Sequence, residues 1–264
     1  MGKRQVAMAL AWVLAGGAMA AAIPATTPAP APSAWRHLYV ATEEAAPASM
    51  LEGGRVVGSA SDKVRTALAR AGLQHTMALL PWKRAYHAAL SRPDACVYST
   101  SRTPERERLF KWVAPTATAA WVLMGHADRP LRIERLDDAR GLRIGTYHGD
   151  ARDHYLRAQG FTVDAAPSDL LNPGKLLQGR IDLWAASLPE AAIAPDRHGW
   201  DRRIVPVLVF RRIALYLACN PALPDPVVER LRAEFARMER DGTMQEIERS
   251  YAGWSGAAKG RTGP

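Results

Sequence analysis

Apolar and polar residues alternate along residues 35–42 (WRHLYVAT), a period of two that predicts a β-strand. The period then lengthens. Val64, Leu68 and Ala71 fall on one helical face, with Ser61 placed to cap the helix and Gly72 to end it. A short strand over 76–80, a helix over 82–90 opened by Trp82, and a strand over 95–98 follow. Strands alternating with helices in this order predict a parallel sheet with helices on its faces.

The pattern then repeats. Strands are expected over 119–124, 142–145 and 181–185, with a further one beginning at Thr162. Helices are expected over 135–139, 150–159 and 170–178. A long β run over 205–210 and 213–219 crosses back. After Pro221 and Pro224, a helix over 226–240 carries Val227, Leu231, Phe235 and Met238 on one face. Asp241-Gly242-Thr243 stops it, and a last helix runs to about Tyr251. Two such units joined by two crossings predict an α/β fold of two lobes, each a mostly parallel sheet flanked by helices. Residues 35–118 and 214–252 form the first lobe, 119–213 the second, with hinges near 116–119 and 212–214. Ligands of open α/β sheets sit at the carboxyl ends of strands. That rule sets Ser99 to Thr103 and Tyr147 to Asp150 on opposite walls of a cleft.

Composition adds a compartment. Lys3 and Arg4, an apolar run from Val6 to Leu14, and Ala18-Met19-Ala20 read as a secretory signal over residues 1–22. A retained membrane anchor is the other reading of this stretch. Residues 23–34 (IPATTPAPAPSA) form an extended proline-rich tether, and residues 253–264 a disordered basic tail. The formal charge is +9, and +7 once Lys3 and Arg4 are removed with the signal. The basic residues are scattered among acidic neighbours, so no nucleic-acid surface is expected. The only cysteines, Cys96 and Cys219, both lie in β-like runs. In an oxidising compartment they pair or stay as two buried thiols, and the sequence leaves both open. No metal-ligand spacing, phosphate loop, dinucleotide fingerprint or nucleophile elbow is found.

Candidate chemistry concentrates between Pro81 and Pro115. Ser99, Ser101 and Thr103 lead into Pro104-Glu105-Arg106, which reads as the start of a helix. Helix N-termini expose unpaired N–H groups, and an arginine fork can hold a carboxylate with two bonds. These residues therefore suit a small carboxylate, unless Arg106 merely pairs with Glu105, Glu107 or Asp94. Trp82 is placed to stack on a ligand or to fill core, and Trp184 likewise. His148 and His154 make no metal geometry.

Together these pieces resemble the bacterial extracellular solute-binding proteins of family 3, the polar amino-acid type that feed ATP-driven importers. The likeness rests on Asp94-Ala95 and on Ser99, Ser101, Thr103 and Arg106, followed by Phe110 and Pro115. Gly145 with Gly149, Gly179-Arg180-Ile181-Asp182, and Asp241-Gly242-Thr243 support it. It covers most of residues 35–252 and implies the two-lobe, type II periplasmic-binding-protein fold. It further implies that Arg106 holds a ligand carboxylate, helped by Ser99 and Ser101. Amino-acid binders of this type carry an acid for the ligand ammonium where this chain has Ser187. They also carry an aromatic residue near the first strand's exit, where this chain reads Thr42-Glu43-Glu44-Ala45. Either Glu44 or Asp150 replaces the missing acid, or the ligand lacks an amine.

The resemblance implies a periplasmic monomer that captures a small anionic solute by hinge closure and docks on an ABC permease. No cofactor and no catalytic residue are assigned. Tyr147 joins the expected ligand-contacting set. Two rivals on the same scaffold are a dehydratase-like enzyme, with Glu44, Asp150 or His148 as acid or base, and a ligand sensor.

Overall fold

The computed structural model describes Trp35, residues 37–189 and residues 201–254. The expected signal, the tether and all but two residues of the expected tail lie outside the described residues. Among the described residues the strands are β1 (His37–Thr42), β2 (Met50–Glu52), β3 (Arg55–Val57), β4 (Gln74–Leu79), β5 (Ala95–Ser101) and β6 (Lys111–His126), then β7 (Ile144–Tyr147), β8 (Val163–Ala166), β9 (Leu183–Leu188) and β10 (Ile204–Cys219). The α-helices are α1 (Ser59–Arg70), α2 (Trp82–Ser91), α3 (Ala151–Ala158), α4 (Asn172–Leu177), α5 (Asp225–Arg240) and α6 (Thr243–Ser250).

Eight strands form one sheet in the order β4-β1-β5-β10-β6-β9-β7-β8. Pairing is parallel within β4-β1-β5 and within β9-β7-β8. The central β10 and β6 are antiparallel to each other, to β5 and to β9. The fold is thus α/β with two lobes on a shared pair of 16-residue strands. Each lobe packs core on both faces of its own part of the sheet. Leu38, Val64, Leu68, Leu231 and Phe235 fill one side of the first lobe, and Ala85, Ala89, Val97 and Phe110 the other. Leu176, Ile181 and Trp184 lie on one side of the second, and Ile144, Leu156 and Phe161 on the other.

The two crossings differ from the expected pattern. Where the long β run was expected as two pieces, 205–210 and 213–219, β10 runs through unbroken and pairs with β6 at the expected hinge positions, Ala119 with Ile213 and Thr118 with Ala214. Register shifts absorb the twist, and Pro115 and Pro206 both sit at them. Arg211, which looked like a strand break, instead lays its guanidinium 5.3 Å from the Trp121 ring and 4.9 Å from the Tyr155 ring.

Local corrections follow the same logic. α1 starts at Ser59, two residues before the expected cap, because Gly58 makes the turn at φ 126°. A Cβ at Gly58 would lie 2.4 Å from the Ala48 carbonyl oxygen, so the entry admits only glycine. Ser61 caps nothing; its hydroxyl lies 2.8 Å from the Tyr98 hydroxyl. The hydroxyl run Ser99 to Ser101 continues β5 and forms no turn. Residues Pro104–Leu109 make a 3-10 helix of 6 residues. Cys96 and Cys219 face each other across β5 and β10 and are joined in a disulfide, which decides between the two readings of the cysteines.

Candidate functional site

The carboxyl ends of β1, β5, β7 and β9 meet where the two lobes face each other across β6 and β10. From the first lobe, the 3-10 turn after β5 delivers Arg106. Its side chain is only 6% exposed, and its guanidinium lies 5.0 Å from the Tyr86 ring and 5.6 Å from the Trp82 ring. It donates to two backbone oxygens, Ser101 at 3.5 Å and Gly149 at 3.0 Å. Among the described residues no carboxylate forms an ion pair with it, so neither Glu105, Glu107 nor Asp94 takes that place. Glu107 pairs with Arg102, and Asp94 with Arg92.

Beside Arg106, Ser101 and Thr103 are buried. Ser99 holds a left-handed backbone at φ 57°, unusual for a residue with a side chain, and its buried hydroxyl has no partner. Trp82 spans the gap: its indole N–H donates to the Gly149 carbonyl at 3.0 Å.

The second lobe answers with the turn from β7 into α3. Gly149, at φ +80°, turns its carbonyl toward Arg106 and Trp82. Asp150 caps α3, accepting from the Arg152 backbone at 2.8 Å. Arg152, 3% exposed, donates to Asp150 at 2.6 Å, to the Ala185 carbonyl at 2.9 Å and to Asp169 at 3.2 Å. Burial pushes the Asp150 carboxyl up, but the charge and bonds of Arg152 outweigh it and hold it below its ordinary value. Asp169 also accepts from Trp184 at 2.8 Å and Asn172 at 2.9 Å.

A second link crosses the gap. Tyr147 donates to Glu43 at 2.6 Å. Burial pushes the Glu43 carboxyl up to about 8, against the lowering effect of that bond. Glu44, one of the two acids offered as a replacement, is exposed to solvent. One residue along the segment leaving β1 reverses which carboxyl faces inward. Ser187 sits near the end of β9, opposite Trp121. His148 and His154 are both exposed, and no cluster of metal-binding side chains occurs among the described residues.

The structure therefore brings Trp82, Ser101, Arg106, Tyr147 and Asp150 to one crevice and leaves Glu44 outside it. Sequence reasoning missed Glu43, Tyr86, Arg152 and Asp169. The spacing of Asp150 and Arg152, a cap followed two residues later by a cation, was a usable signal for that pair. Nothing local marked Asp169, which reaches Arg152 only through the fold.

A family model, that of the bacterial extracellular solute-binding proteins, family 3, matches residues 38–254. The chain belongs to this family. No curated protein sequence matches it. Solved structures share the fold. A histidine kinase sensor domain similar to periplasmic binding proteins superposes with a TM-score of 0.73 at 18% identity, over 83% of this chain and 96% of its own. A mutant of the arginine-binding protein from T. maritima gives 0.72 at 15%, over 83% and 96%. The GluR0 ligand-binding core from Nostoc punctiforme, in complex with L-glutamate, gives 0.70 at 18%, over 81% and 98%. At these identities the likeness establishes the fold of this solute-binding protein and not its ligand. No helix among its described residues is long and apolar enough to cross a membrane.

Proposed function

We propose that the protein captures a small carboxylate-bearing solute in the periplasm by hinge closure and delivers it to an ABC permease. One observation carries this reading: Arg106 is a buried guanidinium, at a crevice between lobes, whose hydrogen-bond acceptors among the described residues are two neutral carbonyls, with the Trp82 and Tyr86 rings beside it. A buried charge without a counter-ion is costly, and a ligand carboxylate removes that cost. A charge-assisted bond contributes about 1.5–3 kcal/mol, so two or three of them approach the roughly −8 kcal/mol of a micromolar ligand. Ser99, Ser101 and Thr103 add hydroxyls on the same wall.

Three bonds across the gap support closure. Tyr147 with Glu43, and Trp82 and Arg106 with Gly149, can form only when the lobes approach. A ligand touching both walls stabilises that state by its differential affinity. We place the lobes at 35–118 with 214–252 and at 119–213, moving about the paired strands at 116–119 and 212–214. The protein acts as a monomer, exported by its N-terminal segment. A thermal-shift screen of amino acids and small carboxylates tests the reading, repeated on Arg106→Ala. A stabilising ligand that Arg106→Ala leaves unchanged removes Arg106 as the anchor.

One feature favours a second reading, an enzyme of the dehydratase type. With its carboxyl at about 8, Glu43 keeps a proton at neutral pH, as a general acid must. Incubation with prephenate-like ring carboxylates decides it: product formation lost in Glu43→Gln replaces binding with catalysis.

A further inference from the structure

A groove of about 840 Å³ runs along α2 and the 104–109 turn, in the size range of small-molecule sites. Trp82, Tyr86 and Leu90 line it from α2, Leu109 from the turn and Ala151 from α3. Arg106 and Gly149 line the same space, so it is continuous with the crevice where the guanidinium waits. Trp82 and Leu90 are two helical turns apart, so the groove extends about 12 Å outward from Arg106. Leu90 and Leu109 are 37% and 40% exposed, which leaves apolar surface open to an occupant. The charges along it are mostly positive: Lys83, Arg84, Arg92 and Arg106, with Glu105 the one acid in the lining.

The acids of the crevice, by contrast, are already engaged. Asp150 and Asp169 bond Arg152, and Glu43 accepts from Tyr147. Burial pushes Glu43 to about 8, so it does not offer a full negative charge at neutral pH.

Resting on the carboxylate reading of Arg106, we infer that the ligand is a monocarboxylate with an apolar, arylalkanoate-like body and no amine. Its carboxylate meets Arg106, and its body lies between α2 and Leu109. A ligand ammonium buried beside Arg106 finds Asp150, Asp169 and Glu43 already engaged and only the solvent-exposed Glu105 at the rim, so it is disfavoured, because a buried unpaired charge is costly.

Calorimetric titration with 3-phenylpropionate, propionate and phenylalanine tests this on wild type, Leu109→Asp, Leu90→Asp and Arg106→Gln. The first pair of probes differs by the ring and the outer pair by the ammonium. The two leucine variants change exposed positions and leave the core intact. The expected result is 3-phenylpropionate at least tenfold tighter than either other probe. Leu109→Asp, Leu90→Asp and Arg106→Gln should each weaken it at least tenfold. No binding of 3-phenylpropionate overturns the inference, as does phenylalanine binding equally well. Arg106-dependent binding of propionate or phenylalanine that ignores the leucine variants overturns the groove and leaves the carboxylate reading standing. Binding of 3-phenylpropionate unchanged in Arg106→Gln overturns the carboxylate reading itself.

Discussion

Two arginines are almost completely buried on facing walls of the same crevice, and their surroundings are opposite. Arg152 is held by two carboxylates and a carbonyl, all from its own lobe. Arg106 is held by two carbonyls, one of them from the other lobe. A fully neutralised cation is part of the scaffold and has little left to offer a ligand. A buried cation with neutral partners is poised to take an anion. The same residue type thus serves architecture on one wall and, on our proposal, recognition on the other, and the carboxylates bonded to each, two for Arg152 and none for Arg106 among the described residues, separate them.

The sharpest way to break this contrast is to remove each cation in turn. Arg152→Met leaves Asp150 and Asp169 buried without their partner and should cost about 3–5 kcal/mol of unfolding free energy, read by urea titration. Arg106→Gln should cost under about 1.5 kcal/mol in the same titration, because the lost carbonyl bonds are offset by relief of a buried charge. Equal losses in the two variants would mean that Arg106 is a structural cation too.

Ligand affinity should reverse the ranking. Arg106→Gln should lose about 1.5–3 kcal/mol of binding to any carboxylate that stabilises the wild type, roughly ten- to a hundredfold.

Titration sharpens the contrast from the side of Glu43. Its folded-state carboxyl lies near 8, against 4.5 ordinarily. The folded protein therefore binds the proton more tightly than the unfolded chain, and stability falls as pH rises between about 4.5 and 8. Below that window both states are protonated and this contribution is flat. Glu43→Gln should remove most of the slope in melting temperature against pH. A variant with the wild-type slope would assign it to other groups.

The smallest expected effect concerns Trp82. Trp82→Phe keeps a ring beside Arg106 and loses the indole N–H bond to Gly149. A cost of about 0.5–1.5 kcal/mol is expected, with ligand affinity changed less than in Arg106→Gln.

Much of the fold was legible because hydrophobic period is a local signal. α2, α5 and the strand after Asp94 fall within a few residues of their expected limits, since burial on one face repeats along each. The β2–β3 hairpin went unread although its signal was present. Gly53 and Gly54, both at positive φ, join two short strands in the two-residue turn that such pairs favour. β10 was read as broken because two arginines interrupt its apolar run. Stacking of Arg211 on Trp121 and Tyr155 makes that interruption compatible with a continuous strand.

By itself the sequence determined the alternation of strands and helices, the two crossings, and Arg106 among hydroxyls as the cation to examine. Each follows from residues near one another along the chain. Tertiary structure alone decided that Cys96 meets Cys219, that Glu43 and not Glu44 turns inward, and that Arg152 is saturated while Arg106 is not. Those outcomes depend on which groups from distant segments share a region shielded from water. There the strength of a charge interaction is set by what surrounds it, and no local spacing records that.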